Sequence, residues 1–223
     1  MRKILFIICW ALAGVGLYSC SLDEPSYGKT TSDNYYQKES DIEQALTGAY
    51  LQLRTTWNEY ALNHYFVGDC STDDALKGGG NDGDRAEVRD LSDFTIYTTN
   101  GEVGRRWEIL YRLINRCNDV IYYAPDAIGN EELLKRYANE AKALRAFGYY
   151  CLVTTFGEVP LITTPMQPAE ILQIPRSPLE KVYECIVNDL TDASALPAKG
   201  DYSEDDACLL YTSDAADEED SVD

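Results

Sequence analysis

The 223-residue chain contains a single histidine, His64, only seven cysteines, and half as many basic as acidic residues, 19 against 38. Each shortage removes a class of function. One imidazole cannot build a multi-histidine metal site, and a histidine-based triad would rest entirely on His64. A net charge of −19 argues against nucleic acid and anionic lipid as partners. Cysteine is too sparse for the disulfide framework of a small secreted fold. The apolar run at residues 4–17 is shorter than the ~20 residues of a membrane-spanning helix. Paired carboxylates are abundant, but in so acidic a chain they read as solvated surface. Asp73, Asp74, Asn81, Asp82 and Asp84 offer oxygen atoms to a calcium ion, yet their spacing lacks the closing bidentate glutamate of an EF-hand. They read as turn and capping groups, and no cofactor is expected.

The N-terminus does carry a signal. Arg2 and Lys3 form a basic start, the apolar run follows, and Leu17-Tyr18-Ser19-Cys20 closes it. This is the layout of a secretory signal over residues 1–19. Small residues ahead of a cysteine resemble a lipobox, which makes Cys20 the expected lipidated first residue of the mature protein. A plain signal peptide with an incidental cysteine is the competing reading. A lipid anchor would tether the protein without a span, each buried methylene contributing roughly 0.8 kcal/mol. Residues 20–33 then form an acidic leader.

Residues 208–223 resemble the translation of a transposase sequencing adapter, with Cys208 to Glu218 in one frame and Ser221-Val222-Asp223 as its continuation. An acidic disordered tail is the competing reading. On the adapter reading the tail is expected to be disordered, the natural sequence stops near Ala207, and a C-terminal part is missing. Removing the tail's six acidic residues changes the net charge from −19 to −13. Cys70, Cys117, Cys151 and Cys185 remain in the body. Three of them lie on or beside apolar helical stripes, so buried thiols are expected rather than disulfides.

The body, residues 34–207, reads as mainly α with long irregular insertions. Ile42, Ala45, Leu46, Tyr50, Leu51 and Leu53 recur at helical spacing over about residues 40–57. Periodicity fails from Asn58 to Gly104, where glycines and acidic residues cluster around residues 78–84. A second helix is expected over about 105–123 and a third over about 131–154, joined by a turn at Pro125 and Gly129 into an antiparallel hairpin. A fourth starts at Ser177, with Ser177 and Glu180 as a capping box and Pro178 at the first helical position. Its expected apolar face is Leu179, Val182, Tyr183, Ile186 and Leu190. Helical hairpins of this size suggest a tetratricopeptide-like array, and Ala143 with Phe147 matches the second-helix part of that pattern.

The third helix carries the most informative string: Glu140, Leu144-Arg145-Ala146, Tyr149, Leu152, Phe156-Gly157, then Val159-Pro160-Leu161. Glycine just past the last turn followed by proline explains the helix stop, though not the whole string. The string resembles the signature of SusD/RagB-type nutrient-binding outer-membrane lipoproteins of Bacteroidetes. Further similarities lie at Ala45-Leu46-x-Gly48-x-Tyr50, at Trp107, Tyr111, Ile114 and Asn118, and at Val182-Tyr183, Ile186 and Asp189-Leu190. A Ser71, Asp73-Asp74 segment fits less well, since Thr72 interrupts the usual Ser-Asp-Asp. The residues after Cys20 also look like the leader of lipoproteins exported to the outer face.

The resemblance implies a surface-exposed, lipid-anchored protein with a tetratricopeptide-like scaffold. Such a protein captures oligosaccharides or other nutrients and hands them to a SusC-like TonB-dependent transporter, without catalysis. The alternative function is a helical-repeat lipoprotein scaffolding envelope assembly. In the resembling proteins, ligand-contacting aromatics come from variable insertions. Aromatic rings offer an apolar face to sugar C–H groups, and the chain has seventeen tyrosines. Tyr50, Tyr111, Tyr137 and Tyr183 sit on apolar helix faces and are expected in the core. Trp57, Tyr60, Tyr65 and Tyr97 lie in or beside the insertion. Trp57, Tyr60, Tyr97 and Asn100 are the ligand-binding candidates.

Overall fold

A computed structural model describes residues 35–53, 60–81 and 83–197. The signal segment, Cys20, the leader, Trp57 and the tail after Ala207 lie outside the described residues. Within them the fold is helical, in the order α1 (Glu39–Tyr50), α2 (Tyr60–Gly68), α3 (Ala86–Ser92), α4 (Gly101–Tyr123), α5 (Glu131–Phe156), α6 (Pro168–Ile171) and α7 (Leu179–Ala193). None of these helices is long and apolar enough to cross a membrane.

The expected hairpin is α4 and α5. Asn130 starts α5 by accepting the N–H groups of Glu132 and Leu133 at 2.9 and 3.4 Å. Gly157 stops it at φ 71, its N–H donating to the Val153 carbonyl at 3.0 Å. The contacts run antiparallel, Arg106 meeting Thr155 at one end and Ile114 facing Gly148 further along. At Gly148 a Cβ would lie 3.0 Å from Ile114 Cγ1, so glycine is what lets the helices approach here. The pairing of α5 with α7 is also antiparallel, through Lys142–Asp192 and Arg145–Asp189.

The apolar residues form two clusters. Ile109, Leu110 and Ile114 of α4 pack with Tyr149, Leu152, Val159, Val182 and Ile186. Ile42, Leu46 and Ala49 of α1 pack with Leu113, Cys117, Val120, Tyr137 and Ala141. Fully burying one such side chain is worth about 1.5–3 kcal/mol, so these clusters hold the helices together. Cys70, Cys117, Cys151 and Cys185 form no disulfide among the described residues. Burial pushes the Cys117 thiol up to about 12 and the Cys185 thiol to about 11.

Four expectations are corrected. The first helix ends at Tyr50, and Leu51–Leu53 tightens into a 3₁₀ turn, a common way to satisfy end groups. The insertion is not wholly irregular, since it folds α2 and α3. Nearly every α2 residue is apolar or aromatic, which leaves no stripe to detect. Helix α3 buries only Val88 and Leu91, too short a repeat to read. The Ser177–Glu180 capping box does not form. Pro178 itself occupies the cap position with φ −54 and ψ 147, which leaves Ser177 outside the helix, its N–H donating to the Val159 carbonyl at 3.0 Å. Finally, α7 buries Val182, Ile186 and Asp189, while Leu179, Tyr183 and Leu190 stay exposed. Asp189 is drawn inward by Arg145, and this rotates the expected apolar face.

Candidate functional site

The scaffold side chains that carry the sequence signature are used internally. Arg145 grips Asp189 with two bonds of 2.8 Å, and both side chains are almost fully buried. Its remaining donor reaches Asn118 Oδ1 at 2.8 Å and the Thr163 carbonyl at 3.0 Å. Asn118 in turn donates to the Ile162 carbonyl at 2.9 Å, and Tyr149 Oη bonds the same residue at 2.7 Å. Burial opposes the Arg145 charge, yet the bonds from Asp189 outweigh it and hold the pKa above its ordinary value. Tyr50 Oη donates to Glu140 at 3.0 Å, tying α1 to α5. Arg145, Asn118, Tyr149 and Asp189 hold the segment after α5 against α4, α5 and α7, and Tyr50–Glu140 ties α1 to α5, so these signature residues serve the fold.

The exposed aromatics lie elsewhere. Between α3 and α4 the chain turns through Phe94, which has a φ of 55. The Phe94 N–H donates to Leu91, the Thr95 N–H to Asp90 and the Asn100 N–H to Tyr97. The backbone is therefore pinned, while the side chains of Phe94, Ile96 and Tyr97 stand 70%, 49% and 65% exposed. A left-handed conformation costs a non-glycine residue roughly 1–2 kcal/mol, and Phe94 keeps it without burying its ring.

Asn100 fixes the far end of this loop. Its side-chain oxygen accepts the N–H groups of Glu102 and Val103 at 3.1 and 3.2 Å, and its amide donates to the Glu87 carbonyl at 2.9 Å. Glu87 answers by accepting the Gly101 N–H at 3.0 Å. At 6% exposure Asn100 is a helix cap that starts α4 four residues before the expected 105. Asparagine is among the strongest N-cap residues, so the signal was present in Asn100-Gly101-Glu102.

The other candidates are placed as follows. Tyr60 opens α2, Trp57 lies outside the described residues, and Tyr97 is on the loop. Tyr65, 46% exposed, lines a groove of about 270 Å³ with Phe66, Leu76, Lys77, Gly79 and Arg85. The Arg85 guanidinium sits 4.8 Å from the Phe66 ring centre and 3.4 Å from Glu102. Asp84 and Asn81 brace the neighbouring turn, accepting the N–H groups of Gly80 and Gly83. Gly79 sits at φ 112, and a Cβ there would also strike the Asp84 carboxylate. His64 Nδ1 lies 3.0 Å from Arg106 Nη1, while Arg106 Nε donates to Thr155 at 2.9 Å, so the sole histidine joins α2 to the hairpin. Among the described residues no group of histidine, cysteine and carboxylate side chains is arranged to hold a metal ion.

Of the four helix-face tyrosines, Tyr137 is buried, Tyr50 and Tyr111 are half-buried, and Tyr183 is exposed. Tyr111 lines an apolar groove of about 400 Å³ with Trp107, Pro160, Ile171 and Leu172. The Trp107 and Tyr111 rings lie 4.8 Å apart at 47°, and Tyr111 Oη donates to the Pro160 carbonyl at 2.7 Å. Burial pushes the Tyr111 hydroxyl pKa well above its ordinary value. Trp107 is 36% exposed, so its ring stands at the groove.

A family model described as "starch-binding associating with outer membrane" matches residues 21–217, so the chain belongs to the SusD-like family. Among curated proteins it is similar to SusD-like protein P2 of Formosa agariphila, 30% identical over 193 residues, covering 84% of this chain and 36% of that protein. SusD-like protein P25 of the same organism is 26% identical, with 84% and 37% covered. The chain thus spans about a third of the length of these relatives. Among solved structures it is similar to a laminarin-binding SusD-like protein, with TM-score 0.64 and 32% identity over 71% of this chain and 34% of that one. Surface glycan-binding protein A from Bacteroides fluxus gives 0.62 and 29%, with 74% and 34% covered. The helical fold expected from the signature is the fold of this family.

Proposed function

We propose that the chain belongs to a cell-surface glycan-binding lipoprotein that captures oligosaccharides without altering them. It passes them to a SusC-like TonB-dependent transporter and is held at the outer membrane through a lipid on Cys20. The observation that carries the binding reading is the pinned loop presenting Phe94, Ile96 and Tyr97 to solvent. Exposed rings on a backbone held in one conformation lose little entropy on binding. Strained backbone that persists without a packing reward points toward a functional surface, and Phe94 is such a residue. The names of the similar proteins, one laminarin-binding and one surface glycan-binding, support the same ligand class. Tyr60 and Trp57 precede or open α2 and remain proposed contributors. Asn100 contributes by holding the loop, its side-chain groups being taken up by the cap.

The test is titration of the chain against a panel of neutral oligosaccharides, laminarin fragments included, with Tyr97→Ala and Phe94→Ala as variants. Saturable binding weakened by both variants at unchanged helix content supports the reading. Release of new reducing ends would overturn the non-enzymatic part, and absence of binding to every glycan would favour the scaffolding alternative. For the anchor, Cys20→Ala is expected to move the protein out of the membrane fraction, and unchanged fractionation would defeat it.

A further inference from the structure

A second, polar groove of about 370 Å³ lies on the scaffold between α1 and α4, lined among others by Tyr35, Gln44, Arg112, Asn115, Arg116 and Asp119. Its size falls within the roughly 300–1,000 Å³ of small-molecule sites. Arg116 is seated on the backbone of α1, because Gly48 leaves the room: a Cβ there would lie 2.8 Å from Arg116 Nη1. Glycine inside a helix weakens it, and at this position the space it leaves is filled by a guanidinium. Among the described residues Arg116 makes no hydrogen bond or ion pair, although its charge bears on Asp119. Asp119 already takes a hydrogen bond from Tyr36, and burial raises its pKa against the pull of both neighbours.

Arg112 is paired with Glu108 at 2.7 Å, but the two side chains are 44% and 70% exposed. Such surface pairs contribute little and give way to a better-placed acceptor. Tyr36 stacks flat on Tyr123 with ring centres 4.3 Å apart, and Tyr35 meets Tyr36 edge-on at 4.9 Å, which sets the aromatic wall. Asn115 lines both this groove and the apolar groove of Trp107 and Tyr111, so the two adjoin. Trp107, Tyr111 and Asn115 form one row along α4, each four residues from the next.

We propose that these adjoining grooves form a subsite for an acidic oligosaccharide, with a hexuronate carboxylate on Arg116 and Arg112 and the next sugar ring on Trp107 and Tyr111. The chemistry of the lining supports a sugar acid over a bare anion. Guanidinium forks match a carboxylate with two parallel bonds, the Gln44 and Asn115 amides and the Asp119 carboxylate suit hydroxyl groups, and the rings suit C–H faces. The net charge of −19 repels polyanions from the surface at large, which restricts capture to where guanidiniums face a groove. The proposal rests on the glycan reading above and names a ligand class for a second surface of the same protein.

The test is calorimetric titration of the 223-residue chain with tetragalacturonate, tetramannuronate, neutral tetrasaccharides and sodium sulfate at matched charge. Saturable binding of at least one uronate is expected, weakened about tenfold or more by Arg116→Gln, as loss of a charge-assisted bond implies. Arg116→Gln keeps the aliphatic stem against α1, and circular dichroism reports whether the helices persist. Neutral oligosaccharide affinity is expected to be unchanged in that variant. Uronate affinity equal in wild type and Arg116→Gln, displacement of the uronate by sulfate at equal charge, or no uronate binding while neutral glycans bind would each overturn the inference alone. If no glycan of either kind binds, the glycan reading itself fails.

Discussion

The α4–α5–α7 scaffold and the 60–100 segment treat their polar and aromatic side chains in opposite ways. In the scaffold, Arg145, Asp189, Asn118 and Tyr149 are buried and bonded to one another or to the segment after α5. In the 60–100 segment, Tyr65, Leu76, Phe94, Ile96 and Tyr97 stand exposed on short helices and turns whose backbones are tied by local bonds. A buried network tolerates few replacements, since each lost partner leaves another group unpaired. An exposed loop tolerates many, because its side chains owe nothing to the core. The buried part of the string that identifies the family is therefore spent on the fold, while the exposed aromatics of the 60–100 segment carry no fixed pattern.

Four substitutions separate the two regions, from the largest expected effect to the smallest. Arg145→Ala leaves Asp189 buried without its partner and is expected to destabilise by about 3–5 kcal/mol in chemical denaturation. A value below about 1 kcal/mol would mean that the network is not what holds the segment after α5. Gly148→Ala places a Cβ 3.0 Å from Ile114 at the α4–α5 crossing, and the overpacking is expected to cost about 1–3 kcal/mol. Gly104, around which a Cβ meets nothing within 4 Å, is the control, where alanine should be neutral or stabilising.

Asn100→Ala removes the cap of α4 and is expected to cost about 0.5–2 kcal/mol. Amide exchange should rise first at Glu102 and Val103, so equal acceleration throughout α5 would contradict a local cap. Tyr97→Ala is the counterpart of Arg145→Ala. Its stability effect should lie within about 0.5 kcal/mol, while glycan affinity should fall by about 0.5–1.5 kcal/mol, the worth of one ring contact. A Tyr97 variant that unfolds the protein, or an Arg145 variant that folds normally and loses only binding, would reverse the division between the regions.

Much of the scaffold was legible in the residues. Asn130, Gly157 and the 3.6-residue apolar spacing mark α5 because capping and amphipathicity are local physics. Helices α2 and α3 leave little trace in the sequence, because one is so rich in apolar and aromatic residues that no stripe stands out and the other buries only two residues. The α7 face was misassigned because Asp189 reads as a surface carboxylate until Arg145 is known to face it. The place of Asn100 in a loop is visible in the sequence, whereas its role as the cap of α4 tied to Glu87 is not, because the carbonyl that receives its amide comes from a different helix.

The order of the long helices and the signature of the family were legible in the sequence alone, since each depends on residues close together along the chain. Which polar groups are spent on the fold and which remain at the surface was decided only in three dimensions. Arg145 and Arg116 are both arginines on long helices. One faces a carboxylate 44 positions away and is closed off by it, while the other faces a glycine and keeps its guanidinium at a groove. Nothing within a helical turn of either residue records that difference, because it depends on which helix packs opposite.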